Sequence, residues 1–160
     1  MAIVKGVDGF DMEGIFSVSL DYGNGKEVFY KEENIITLPA KRYILRSLYI
    51  ASMVSDPIIE LRVGTGGCVD PLGKYPKVPD PEQTALSTPL LIIPCSNLPD
   101  IPNVVVKFLA DVDNSQGNGS LLSEAGLFKV SGGMFNLKNH PGIPKTSEFS
   151  VHYEWDIKIL

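Results

Sequence analysis

Residues 121–135 read LLSEAGLFKVSGGMF. An apolar run closes on Ser131-Gly132-Gly133 and resumes at Met134-Phe135, the pattern of a strand, a tight turn and a second strand. The last residues, 147–160, read SEFSVHYEWDIKIL. Here Phe149, Val151, Tyr153 and Trp155 alternate with Ser150, His152, Glu154 and Asp156. Strict period two places the first set on a buried face and the second on a polar one, so Phe128 and these four residues are expected in the core. IFSVSLDY at 15–22 alternates in the same way, and GNG at 23–25 is a hairpin turn leading into KEVFYKE and NIITL. IIELRVG, LLIIPC and NVVVKFLADV complete the apolar strand candidates, and DNSQGNGS is a turn cluster.

One segment departs from this pattern. Pro39 precedes AKRYILRSLYIASMVS, where Ile44, Leu45, Leu48, Tyr49 and Ser52 recur at helical spacing while Lys41, Arg42 and Arg46 face outward. A helix near residues 40–54 is expected, stopped by Asp56-Pro57. Many short strands with turns between them and one helix predict a mainly β fold, a β-sandwich or jelly-roll-like domain. The 160 residues suit one such domain, with residues 1–14 as an N-terminal extension.

Between Gly64 and Ser87 lies a long polar stretch with Pro71, Pro76, Pro79 and Pro81. A connection of this length inside a compact domain is usually functional. It is expected to be an arm that orders on a partner, through Leu72 and Tyr75 and the charged Lys74, Lys77, Asp80 and Glu82 of both signs. Its start, GTGGCVDPLGK, lacks the Gly-Lys-Ser/Thr of a phosphate loop, and prolines rather than a helix follow it. An EF-hand count from Asp113 meets Gly117 at a ligand position and Asn118 at the invariant glycine position, with strands on both sides. Cys68, Cys95, His140 and His152 are too few and too scattered for a zinc site, and the two thiols are expected to be reduced. His140 and His152 read as surface histidines, and Glu124, weighed as a general base, reads rather as a solvent-facing charge or a cap to a neighbouring loop. The sequence therefore predicts no catalytic set, no cofactor and no metal. A net charge of −5 without a basic run argues against direct nucleic-acid binding. The apolar runs are too short to span a bilayer, and MAIVKGVDGFDMEG lacks the features of a signal peptide.

The order of motifs across about residues 40–160 resembles a diffuse family of tailed-bacteriophage virion proteins. The shared features are a Val-Gly-Thr-Gly strand end (63–66), Thr84-x-Leu86 after a proline loop, Glu124-x-Gly126-Leu127-Phe128, and Lys145-Thr146 before a Trp-containing strand. The resemblance implies a structural, non-enzymatic component of the virion. The expected role is an adaptor at the tail, baseplate or collar, made in the host cytoplasm and contacting other virion proteins and copies of itself. Because the chain stops just after the Trp155 strand, with no fibre shaft, a stand-alone adaptor is favoured over a fibre. A capsid cement or decoration protein is the alternative. A carbohydrate-binding β-sandwich is a second alternative, motivated by Trp155 and the tyrosines. A small hydrolase has no positive motif.

Overall fold

The computed structural model describes residues 12–48, 50 and 55–159. Strands β1 (Met12–Asp21) and β2 (Lys26–Ile36) form a hairpin closed by Gly23 and Gly25, both in the left-handed region. Asp21 supports that turn, its carboxylate accepting the Gly23 and Gly25 N–H groups. Helix α1 (Leu38–Ser47) follows, then β3 (Ile58–Gly64), β4 (Pro89–Pro94), β5 (Ser96–Asp100), β6 (Val105–Val112), β7 (Leu121–Lys129), β8 (Met134–Pro144) and β9 (Ser150–Ile159). Neighbouring strands are all antiparallel.

These strands make a β-sandwich. One sheet runs β2-β1-β9-β6-β5 and the other β4-β3-β7-β8. β2 joins them: residues up to Asn34 pair with β1, whereas Ile35 and Ile36 pair with Leu137 and Asn136 of β8. Phe16, Val18, Val151, Tyr153 and Trp155 from the first sheet pack against Leu61, Val63, Leu122, Ala125, Leu127 and Ile143 from the second. The β9 alternation holds along its length, with Phe149 also buried, and Phe128 lies in a smaller cluster with Leu86, Met134 and Leu137. Trp155 sits against Phe16 at 4.6 Å between ring centres, in a tilted arrangement.

Four expectations need correction. Met12–Gly14 belong to β1 and pair with Ile157–Ile159 of β9, so they are not an extension; residues 1–11 lie outside the described residues. The helix is shorter than expected, ending at Ser47, and turned differently. Thr37 caps it, its hydroxyl accepting the Ala40 N–H and donating to the Phe135 carbonyl. That double attachment fixes the rotation. Ala40 is buried and Ile44 packs on the core, while Leu45 and Leu48 face solvent. Tyr49 and Ser52 lie outside the described residues. The strands read from the sequence leave out β5, which holds Pro99. It occupies an edge, where a missing N–H is tolerated.

The fourth correction is His140, which is wholly buried rather than on the surface. NHPGIP resembles a loop but continues β8, whose residues beyond Lys138 have only β7 as a strand neighbour, so proline fits there. The ring stacks on Phe16 at 5.7 Å. Its Nδ1 donates to the Pro141 carbonyl (2.8 Å) and its Nε2 accepts the Tyr153 hydroxyl (3.3 Å). Burial lowers its pKa from 6.5 to about 4 and raises that of the Tyr153 hydroxyl.

Two outcomes follow. Trp155→Ala should cost about 3–5 kcal/mol in urea unfolding, and the native protein should show the blue-shifted emission of a dry indole. Between pH 6.5 and about 4 the unfolded chain protonates His140 and the folded chain does not. Its contribution is therefore whole above pH 6.5 and is lost as pH falls toward 4, by roughly 3 kcal/mol. Stability measured across this range should fall less steeply in His140→Phe than in the unaltered protein.

Candidate functional site

The site is built on β7. Between Leu122 and Glu124 the pairing with β8 shifts by a bulge. Leu122 and Ala125 both reach the core, which strict alternation forbids, and across this shift two steps of β7 face four of β8, from Ile143 to Asn139. Ser123 and Glu124 are thereby both turned to the connection that leads from β3 to β4. The Glu124 carboxylate is fully buried. It accepts N–H groups from Gly66 (3.1 Å) and Thr88 (2.7 Å) on one oxygen and from Ser87 (2.9 Å) on the other. Ser123 Oγ accepts the Gly67 N–H at 2.9 Å. Both ends of the connection are fastened to one point by charge-assisted bonds. Of the two sequence readings of Glu124, the cap is the one the structure has.

The glycine cluster follows from this latch. A Cβ on Gly64 would collide with the Glu124 carboxylate and the Thr88 carbonyl, and one on Gly67 with the Ser123 carbonyl. The glycines give the chain room to approach β7, and the amides of Gly66 and Gly67 serve the Glu124 carboxylate and the Ser123 hydroxyl.

Beyond the latch the connection folds on itself. Val69 N–H donates to the Tyr75 carbonyl (2.9 Å) and Lys77 N–H to the Gly67 carbonyl (2.7 Å). Asp70 closes the tip by accepting the N–H groups of Lys74 (3.0 Å) and Tyr75 (2.8 Å), and Gly73 takes the left-handed conformation between them. These amides, that of Lys74 first, hold the Asp70 carboxyl below its ordinary value. The tip is tied to β8 by the Gly142 N–H donating to the Gly73 carbonyl (2.7 Å) and by Asn139 Nδ2 donating to the Lys77 carbonyl (3.0 Å). Farther along, Arg42 grips Glu82 through two hydrogen bonds, Leu38 N–H donates to the Pro81 carbonyl, and Leu86 is buried against Phe128. The segment is thus a fastened loop lying along β8, not an unattached arm.

Its outer surface is apolar. Val69, Leu72, Tyr75 and Val78 are 68%, 75%, 63% and 91% exposed. Of the six residues expected at a partner site, Leu72, Lys74 and Tyr75 come together on this tip. Lys77 is half-buried beside it. Asp80 and Glu82 lie on the far leg and are engaged structurally, Asp80 in a turn with Glu82 N–H and Glu82 with Arg42. Val69 and Val78 were missed by the sequence reading. Their signal was the presence of β-branched apolar residues in a segment otherwise polar enough to pass for solvated loop.

His152 lies on the outer face of the first sheet, as expected. Its Nδ1 bonds to Asp111 Oδ1, and Ser150 Oγ lies 3.1 Å from Nε2. Ser-His-Asp in this order is the arrangement of a nucleophile relay. Asp21 Oδ2, however, stands 3.9 Å from the same Nε2, so carboxylates from two neighbouring strands flank the imidazole. The group reads better as a cross-strand clamp joining β1, β9 and β6. Asp113 accepts the Ser115 N–H and hydroxyl within its own turn. Cys68 and Cys95 are unpaired, and burial pushes the Cys95 thiol up to about 11.

Comparison with protein-family models, curated proteins and solved structures finds no match to this chain. The loop itself must carry any functional reading.

Glu124→Gln keeps the shape of the latch but turns an NH2 group toward backbone donors. It should destabilise by about 1–3 kcal/mol in urea unfolding and admit proteolysis between Gly66 and Thr88, with the far-ultraviolet β spectrum retained.

Proposed function

We propose that this protein is a structural component of a tailed-phage virion, an adaptor at the tail, baseplate or collar whose loop tip docks on neighbouring subunits. The observation that carries the reading is the apolar tip of Val69, Leu72, Tyr75 and Val78 held out from a rigid sandwich by Glu124 and Asp70. Four large apolar side chains grouped on one fastened loop, with Lys74 among them, have the composition of an interface centre rather than of ordinary surface. Because the loop is already ordered, docking forfeits little backbone entropy. Many identical copies then add their contacts through symmetry. The family resemblance of residues 40–160 supplies the virion context. A capsid cement protein would use the same tip, at sites repeated over the shell. The carbohydrate reading loses Trp155, which is fully buried.

A Leu72→Asp/Tyr75→Ser variant should melt like the parent and yet be depleted at least about tenfold from purified particles, the effect of removing a few interface anchors. Incorporation at the parent's level would remove the tip from the interface. Absence of the parent chain from intact particles would overturn the virion reading. Density for the chain at one vertex identifies an adaptor, and density across the shell a cement protein.

A further inference from the structure

Glu124 has a counterpart in burial: Lys145, which follows the end of β8, is only 1% exposed. The carboxylate is matched by three amides, but the amine is not matched in kind. Among the described residues its Nζ meets only neutral oxygens, donating to Asn118 Oδ1 at 3.0 Å and to the Thr146 carbonyl at 2.7 Å. The Phe149 ring lies 5.4 Å away. Asp113 exerts its charge on Lys145 but is bonded instead to Ser115 in its own turn. An ammonium withdrawn from water without a counter-ion in contact is unfavourable. Burial accordingly pushes the Lys145 pKa below its ordinary value, against the opposing pull of Asp113. A lysine driven toward its neutral form is a nucleophile.

The carbonyl it touches is held as firmly as the amine. The turn between β6 and β7 gives its Gly119 N–H to the Lys145 carbonyl (2.9 Å), and its Ser120 carbonyl accepts the Lys145 N–H (3.0 Å). Asn114 Nδ2 donates to the Ser147 carbonyl at 2.9 Å, so the turn and the connection from β8 to β9 are fastened at three points. Asn118 Nδ2 donates to the Asn114 carbonyl (2.9 Å), which leaves Oδ1 as the end of the carboxamide that meets the amine. Asn118 Cγ lies one carbonyl bond beyond Oδ1. Amine and carbonyl carbon are therefore close to contact, an intramolecular pair at very high local concentration. Asn118 is exposed, so a group that leaves its Cγ passes directly to water.

We propose that Lys145 and Asn118 join in an isopeptide bond within the chain. The lone pair of the Lys145 amine adds to Asn118 Cγ, one of its protons passes to Nδ2 by way of water at the exposed carboxamide, the Cγ–Nδ2 bond breaks, and ammonia leaves. No oxidant, reductant or further reactant takes part. The product amide carries no charge, so the burial that penalises the ammonium no longer does, and its N–H keeps the Thr146 carbonyl as acceptor. The bond closes a covalent ring that contains β7 and β8 and ties the β6–β7 turn to the connection that leads into β9.

Mass spectrometry of the full-length chain under denaturing conditions tests this. The expected result is a mass below that of the sequence by one ammonia, about 17 Da, and a branched tryptic peptide joined through Asn118 and Lys145. The loss should vanish in Lys145→Arg and in Asn118→Ala. A parent chain at the full sequence mass overturns the proposal. So does a loss that persists in Lys145→Arg, because Asn118 can also shed ammonia by closing on the Gly119 nitrogen, and that result assigns a succinimide instead. Where a variant fails to fold, the parent's peptide map decides: the branched peptide establishes the bond, and its absence overturns it.

Discussion

A carboxylate sealed from water is held in place only if its oxygens find donors inside the protein, and at Glu124 those donors are the two ends of a single loop. Burying an unmatched carboxylate would cost several kcal/mol, so the site is stable only while Gly66, Ser87 and Thr88 stay in reach. Conversely, those three amides would be orphaned without it. The dependence runs outward from there. Glu124 turns to the loop where β7 shifts register against the longer β8 segment, the glycines let the backbone come close, and the close approach brings the loop along β8. The exposed tip is the far end of that series of constraints. The bonds to β8 and to Arg42 and the burial of Leu86 then fasten the rest of the connection.

The same logic separates the two faces of the second sheet. Its inner face meets the first sheet through Leu61, Val63 and Leu127, an ordinary aliphatic core. Its outer face is covered by the loop, through Leu86 on Phe128 and Leu137. β7 is consequently buried on both sides, and Ser123 and Glu124 are polar residues in an interior that the loop creates. The first sheet keeps one wet face, where Lys107 pairs with Glu154 and His152 with Asp111. Alternation is therefore clean in β1 and β9 and absent from β7, which is the difference between a half-solvated strand and a fully covered one.

That difference also decides what could be read from the sequence. β9 and β1 were legible because period two is visible when one face is wet, and the identities of the buried residues in β9 followed. The glycine cluster was legible as backbone geometry, but its cause was not, since Glu124 lies 58 residues from Gly66. Helical spacing in residues 44–52 suggested a stripe around Leu48, and the cap at Thr37 rotated the helix to bury Ala40 instead. A hydrophobic pattern names a face only when nothing anchors the helix end. His140 failed for a related reason. Its prolines looked like a loop, and only the absence of a second strand neighbour makes them compatible with β8.

For the loop tip, the physical question is why a protein would fasten an apolar surface so thoroughly instead of leaving it to fold away. A free arm carrying Leu72 and Tyr75 could bury them against its own domain. Pinned by Asp70 at the tip and Glu124 at the base, it cannot. Val78 stays in water although apolar side chains and buried surface lie within the same domain. Holding four such side chains outward is unfavourable for the isolated chain and becomes favourable only against a second surface. On the proposed reading, the internal hydrogen bonds fix in advance the geometry that a partner would have to match, and specificity would reside in this fastened loop.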